Sequence, residues 1–212
     1  MASVLVYWRL FLNGLIVTLQ LSVITIITSS ILGFLVGILY TLKCKPLRAV
    51  LTVYVQLFRS CPILMLLYMG YFGMAYLGFN IDTFPATVLV FTLYGGAYIA
   101  EIIRSGIESV PKGQWEAAHC VGLSLVQIMK DVILPQSLKV SLPALVGFYL
   151  GMIKDTSVAS IINCVELLKQ GKSVAMNTSK PFETYFVIAL LYFVICFPLS
   201  KFVAWLERRE KA

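Results

Sequence analysis

The chain is 212 residues long, 59% hydrophobic and 13% charged, with a formal net charge of +7 and a mean hydropathy of +0.89. So little charge on so apolar a chain excludes an ordinary soluble fold. In lipid only helices or closed barrels satisfy their own backbone groups, and the apolar runs here are far longer than barrel strands, so the expected fold class is an all-α membrane protein.

Five apolar runs meet the length of about 20 residues that a helical span needs. They cover roughly Asn13 to Tyr40, Val53 to Leu77, Phe84 to Ile107, Leu142 to Leu168 and Phe182 to Trp205. The first is too long for a signal peptide and ends at Lys43, Lys45 and Arg48, so it reads as a retained span. It carries hydroxyls such as Thr18, Ser22, Thr25 and Ser29, and Gly33 and Gly37 stand four apart. Small residues at that spacing let helix backbones approach, and hydroxyls bond across helices in lipid. Packing against a neighbour and lining a pore are both open for this face.

Lys43-Cys44-Lys45-Pro46 makes the first turn, a helix break anchored by charge. In the second run Arg59 and Pro62 predict a snorkelling cation and a kink. After a short turn at Gly78 to Asp82, the third run carries Glu101 and Arg104 near its end, a spacing that favours a local ion pair.

A polar loop then occupies about 108–139. Gly113 to Val121, with Gln114, Glu116, Ala117 and Ala118, predicts one helix, and Gly122 ends it in a left-handed conformation. Ser124 is a candidate N-cap for a second helix whose Leu125, Ile128, Met129 and Val132 form one apolar face. Pro135 is expected to stop it. With the second helix lying on the bundle, the first is pushed into solvent, where Ala117 and Ala118 offer a bare surface and Glu116 a charge. An interfacial helix that merely caps the bundle would look the same.

In the fourth run Asp155 lies about 13 residues in, roughly 20 Å along the helix and just beyond the midplane. Thr156 and Ser157 follow it, and Gly147 and Gly151 precede it by two turns and one. A charge at that depth costs on the order of 2.5 to 3.5 kcal/mol on insertion scales, so it asks for a partner or a task. Glu183 opens the fifth run, where the helix dipole favours an acid.

Basic residues near the spans set the orientation. With the N-terminus outside and the C-terminus cytoplasmic, the inside carries Lys43, Lys45, Arg48, Lys112, Lys130, Lys139, Lys201, Arg208, Arg209 and Lys211, against Arg9, Lys169, Lys172 and Lys180 outside. This asymmetry accounts for the basic charge, so no nucleic-acid partner is implied. The cysteines are scattered, with no CxxC and no histidine at ligand spacing, so neither a metal nor a cofactor is expected. No phosphate loop, HExxH pair or GxSxG elbow occurs. The chain is therefore not read as an enzyme, and energy must come from a partner.

The order Glu116-Ala117-Ala118, Gly122, Val132, Leu134-Pro135 resembles the EAA loop of ABC importer permeases, with valine where isoleucine is usual. Phe58-Arg59-Ser60-Cys61-Pro62, Tyr98 to Arg104, Val110 to Gln114, Leu134-Pro135-Gln136, Lys154-Asp155-Thr156-Ser157 and Leu206-Glu207-Arg208-Arg209 extend the likeness across nearly the whole chain. They are similar to the polar amino acid permeases of that superfamily, which handle histidine, arginine, glutamine, glutamate or cystine. Cys61 departs from the small residue or threonine usual before that proline.

The resemblance implies one transmembrane domain over 1–212 in a bacterial inner membrane, moving a polar amino acid by alternating access. It implies cytoplasmic ABC ATPase subunits gripping Gln114, Glu116, Ala117, Ala118, Gly122, Leu134 and Pro135. An extracytoplasmic binding protein would deliver substrate, and a second copy or a paralogue would complete the pathway. Asp155 would meet a substrate ammonium or cationic side chain with Thr156 and Ser157 assisting, and Glu101, Arg104 and Glu183 are further path candidates. A structural Lys154–Asp155 charge arrangement competes with that role. Rival readings are a membrane-anchored sensor or assembly subunit, a permease for another small solute, and an ion-coupled transporter, although the repeats and paired broken helices of the last are not seen.

Overall fold

The computed structural model describes residue 4 and residues 6–41 and 44–210, the last five by backbone alone. Lys43 and Lys211 of the charge count, and the side chains of Leu206-Glu207-Arg208-Arg209, lie outside the described residues. No strand occurs among the described residues. The elements are α1 (Trp8–Leu39), α2 (Lys45–Ser60), α3 (Ile63–Tyr76), α4 (Thr83–Ser109), α5 (Lys112–Cys120) and α6 (Leu125–Gln127), then a π-helical stretch (Ile128–Ile133). There follow α7 (Leu134–Asp155), a 3₁₀ stretch (Thr156–Ile162), α8 (Leu167–Thr178) and α9 (Pro181–Glu210).

Among the described residues four helical stretches are long and apolar enough to cross a membrane, and the α2–α3 pair makes a fifth if taken as one span. The expected count of five is reached only with that pair counted as one broken span. α2 and α3 meet at 109°, far sharper than a kink. The cause is local: a residue before proline is driven to extended backbone, and Cys61 sits at φ −97°, ψ 137°. The Tyr98 hydroxyl donates to the Arg59 carbonyl at 3.3 Å, occupying one of the acceptors freed at the break.

The centre of the bundle is the α1–α4 contact. Hydrophobicity does not drive helices together in lipid, so close packing must. A Cβ on Gly33 would lie 3.0 Å from the Gly96 carbonyl oxygen, and one on Gly37 2.9 Å from that of Ala100. Thr28 and Thr92 share a hydrogen bond of 2.6 Å across this seam. The packing role of the glycine face is therefore observed, and Thr18, Ser22, Thr25 and Ser29 are buried with it. Leu21, Leu67, Phe91 and Met152 bring α1, α3, α4 and α7 into one core.

Three expectations for the second half are corrected. Pro135 does not stop the helix that begins after Ser124: the chain continues without a break through the π stretch into α7, with the proline at its start. A proline is tolerated in a first turn, and the π stretch shifts the hydrogen-bond ladder just ahead of it. The fourth span accordingly runs Leu125–Ile162, not Leu142 to Leu168, because Asn163 turns left-handed at φ 64°. Beyond it α8, for which no helix was expected, packs on α1 and α9 through Phe11, Leu167, Val174 and Ile188.

A Gly33→Ala variant places its new Cβ 2.5 Å from that of Ile99 and should lower stability in detergent by about 1–3 kcal/mol, the usual cost of overpacking. Gly73→Ala, where a Cβ meets open space, should stabilise by about 0.5–1 kcal/mol through helix propensity. Thermal unfolding of the two purified variants checks both.

Candidate functional site: an exposed loop helix and an intramembrane polar strip

The loop helix α5 forms close to where the sequence puts it. Gly122 follows it at φ +79°, and Ser124 makes a capping box with Gln127, the Gln127 amide donating to Ser124 Oγ at 3.4 Å and the Ser124 amide to Gln127 Oε1 at 2.9 Å. The two candidate alanines separate. Ala118 is buried in a core with Ile103, Ile107, Ile128 and Ile133, so only Ala117 is exposed, beside exposed Gln114 and Glu116. The reason is helix phase: Trp115 and Ala118, three apart, share the inward face. Gln136 Nε2 donates to the Val132 carbonyl at 2.9 Å and to Gln114 Oε1 at 3.4 Å, tying α5 to the start of α7. Gly122 and Pro135 are exposed and Leu134 is half-buried.

Within the membrane the candidate residues fall into two groups. Glu101 accepts two hydrogen bonds from Arg104, Nε at 2.8 Å and Nη2 at 2.7 Å, so the expected local pair forms. It is part of something larger. Arg59 Nη1 lies 3.4 Å from Glu101, Arg104 also donates to Glu108, and the two guanidiniums stand over Tyr98 at 5.5 Å and Tyr40 at 5.9 Å. Arg59, at the break between α2 and α3, is thereby joined to α4. The spacing within α4 was readable; the partner from the broken helix was not.

Asp155 ends α7, half-buried, with no hydrogen bond or ion pair among the described residues. On the same side, four and eight residues earlier, a Cβ on Gly151 or Gly147 would meet nothing within 4 Å. It lies within electrostatic reach of the Tyr94 hydroxyl on α4. Tyr94 packs on Tyr98 at 4.8 Å, and Tyr98 stacks on Phe148 at 5.1 Å. A strip therefore runs from Asp155 through Tyr94 and Tyr98 to the Arg59–Glu101–Arg104 cluster. Tyr94, Tyr98, Glu101 and Glu108 recur at helical spacing, the signal that could have revealed it.

Thr156 and Ser157 turn their hydroxyls back, donating to the carbonyls of Ile153 at 2.7 Å and Lys154 at 2.8 Å; Thr156 is fully buried, which leaves the half-buried Ser157 oxygen able to accept. Glu183 sits half-buried in the first turn of α9, as its dipole reading expects, with no hydrogen bond or ion pair among the described residues. It joins neither group. Among the described residues no His/Cys/Asp/Glu cluster could hold a metal.

One buried acid escaped the sequence reading. Glu166 is fully buried and caps α8, accepting from the Leu168 amide at 2.8 Å and the Lys169 amide at 2.7 Å, while the Tyr192 hydroxyl donates to it at 3.3 Å. Beside it the Leu167 amide donates to Thr18 Oγ1 at 3.1 Å, so α1, α8 and α9 meet here. Burial pushes Glu166 up to about 7, outweighing its amide and tyrosine hydrogen bonds and the charge of Lys172.

Residues 29–212 match the family described as binding-protein-dependent transport system inner membrane component. The chain belongs to that family. A probable glutamine ABC transporter permease protein, GlnM of Bacillus subtilis (strain 168), is 37% identical over 95% of this chain and 94% of its own length. The L-cystine transport system permease protein TcyB of the same organism is 37% identical over 96% of this chain and 87% of its own. A crystal structure of an amino acid ABC transporter with histidines superposes with a TM-score of 0.91 at 35% identity, covering 98% of this chain and 97% of that one. The methionine ABC transporter MetNI, at 21% identity and TM-score 0.74, shares the fold.

As an inner membrane component of a binding-protein-dependent transport system, the chain is a membrane permease subunit and not the ATPase. The family works with separate ATPase and substrate-binding subunits.

The Glu166 site carries a pH dependence. Its folded value, about 7, lies above the ordinary glutamate value of 4.5, so the folded state holds the proton more tightly. Its contribution to stability is full below pH 4.5 and is lost as pH rises through about 7. Melting temperatures measured between pH 5 and 8 should fall more steeply for the native protein than for Glu166→Gln, which keeps an acceptor for the cap.

Proposed function

We propose that this chain is one of two permease halves that together pass a polar amino acid inward through the bacterial inner membrane, driven by ABC ATPases. The second half is another copy or a paralogue, and an extracytoplasmic binding protein supplies the substrate. The chain acts as one transmembrane unit over 1–212 with its N-terminus outside and its C-terminus in the cytoplasm, the orientation that the basic residues favour. The loop then faces the ATPases.

The mounting of α5 carries this reading. Ala118 and Trp115 fix its inner face to a core shared with α4, the π stretch and α7, while Glu116 and Ala117 stand exposed. A partner gripping Gln114, Glu116 and Ala117 would move α4 and α7 together, and Gly122, Leu134 and Pro135 shape the return of the chain. These are the two helices that carry Asp155, Tyr94, Tyr98 and the Glu101–Arg104 pair. A push on the loop reaches the polar strip through rigid elements, as alternating access requires.

For the cargo, Asp155 offers an unpaired carboxylate beside open space, suited to an ammonium or a cationic side chain, with Ser157 as an acceptor nearby, while the buried Thr156 braces the turn behind it. The relatives named for glutamine and cystine support a polar amino acid. Arg104 already spends its guanidinium on Glu101 and Glu108, so Glu101 and Arg104 serve the path as an ion-paired wall. Glu183 lines the outer approach.

Glu116→Lys should abolish co-purification of the ATPase while leaving the permease folded. In vesicles loaded with the complex, Asp155→Asn should reduce uptake of labelled amino acid about tenfold or more, the loss expected for one charge-assisted hydrogen bond. Full uptake by a folded, assembled Asp155→Asn complex would remove the substrate role. Assembly with an ATPase but no uptake of any amino acid by the native protein would favour a sensor or assembly subunit.

A further inference from the structure

Beneath α5 lies a groove of about 700 Å³, with Ile38 from the end of α1, Trp115 and His119 from α5, and Val126, Met129 and Lys130 from the segment that follows among its walls. It shares no lining residue with the polar strip. Its character is mixed in one particular way: among the described residues the walls are mainly apolar, one lysine and one histidine stand on them, and no carboxylate lines it. Val126 and Leu125, which both border it, are 76% and 67% exposed. Two aliphatic side chains beside a cation are thus left uncovered by this chain.

The height of the groove narrows the occupant. α1 has 32 residues and so reaches about 48 Å, longer than a hydrocarbon core of about 30 Å and than the 40–45 Å that includes the headgroups. With the loop on the cytoplasmic side, the excess length would carry its final turn, with Ile38, to headgroup level, where a tryptophan such as Trp115 is also at home. An occupant here meets apolar walls on one side and a lysine on the other. Inorganic phosphate would satisfy Lys130 and His119 but leave the walls bare, and a neutral acyl chain would leave the lysine unused.

We propose that this groove binds an anionic glycerophospholipid, its phosphate held by Lys130 and His119 and an acyl chain laid against Ile38, Val126 and Met129. A zwitterionic headgroup brings a second cation toward Lys130, whereas an anionic one is attracted to the basic face. The lipid then fills the space between α1 and the loop helix and supports that helix from below. The inference rests on the reading that this loop lies on the cytoplasmic side.

The test uses the complete permease–ATPase complex in nanodiscs of phosphatidylcholine with a minor fraction of phosphatidylglycerol, followed by native mass spectrometry of the lipid that stays bound. The native complex should retain phosphatidylglycerol in preference to phosphatidylcholine. Lys130→Gln should lower that retention about fivefold, the worth of one basic residue at an anionic surface, and Val126→Trp should lower it by filling the groove. Equal retention by Lys130→Gln and the native complex would overturn the proposal, even if Val126→Trp fails to fold. So would a Val126→Cys variant that cross-links to the ATPase and not to a thiol-reactive phosphatidylglycerol. Presence of the ATPase in the native sample is scored separately, so failure of the permease reading and failure of the lipid site give different results.

Discussion

Everything in this bundle is referred to the contact between α1 and α4, where two glycines on one helix meet backbone carbonyls of the other. Gly33 and Gly37 leave no room for a side chain against Gly96, Ile99, Ala100 and Ile103. In lipid, where burial of apolar surface gives no net drive between helices, such close approach is the main source of association. The contact also fixes the rotation of α4. Its opposite faces are then committed, one to Tyr94, Tyr98 and Glu101, another to α7 through Ser141, whose hydroxyl donates to the Ile102 carbonyl at 3.3 Å beside Gly106.

From that fixed α4 the two functional regions follow. Its end supplies Ile103 and Ile107 to the core that receives Ala118, Ile128 and Ile133, so the loop helix is an extension of the span and not a tethered appendage. Its middle supplies the aromatic strip between Asp155 and the ion-pair cluster. One helix therefore links the exposed loop helix to the polar strip. Stiffness is the useful property here, since a displacement applied at α5 is lost wherever a loop can yield. The capping box at Ser124 and the continuous run from Leu125 to Ile162 remove the obvious places for yielding.

Much of this was legible in the chain. The first, third and fifth spans were legible as apolar runs, and the loop helix, the left-handed Gly122, the Ser124 cap and the Glu101–Arg104 pair depend on residues within about one turn of each other, which local rules read. The misses share a cause. Pro135 signals a stop unless a π stretch precedes it, and that stretch belongs to the packing of Ile128 and Ile133 against α4. Ala118 looks like free surface until the phase of α5 on the bundle is known. Glu166 is an ordinary acid in sequence; only the arrival of Tyr192 and the Thr18 contact of its neighbour Leu167 reveal a buried junction.

By itself the sequence determined that the chain lives in lipid, how many apolar runs it has, where the loop falls and which motifs it shares with a transport family. These rest on composition, periodicity and short spacings, which survive without knowledge of neighbours. The tertiary structure alone decided the right-angled break at Pro62, the joining of Arg59 to Glu101, the isolation of Asp155 beside open space, and the division of the alanine pair into one buried and one exposed member. Each of these depends on which distant helix lies alongside, and in a bilayer that is settled by shape complementarity between side chains far apart in the chain.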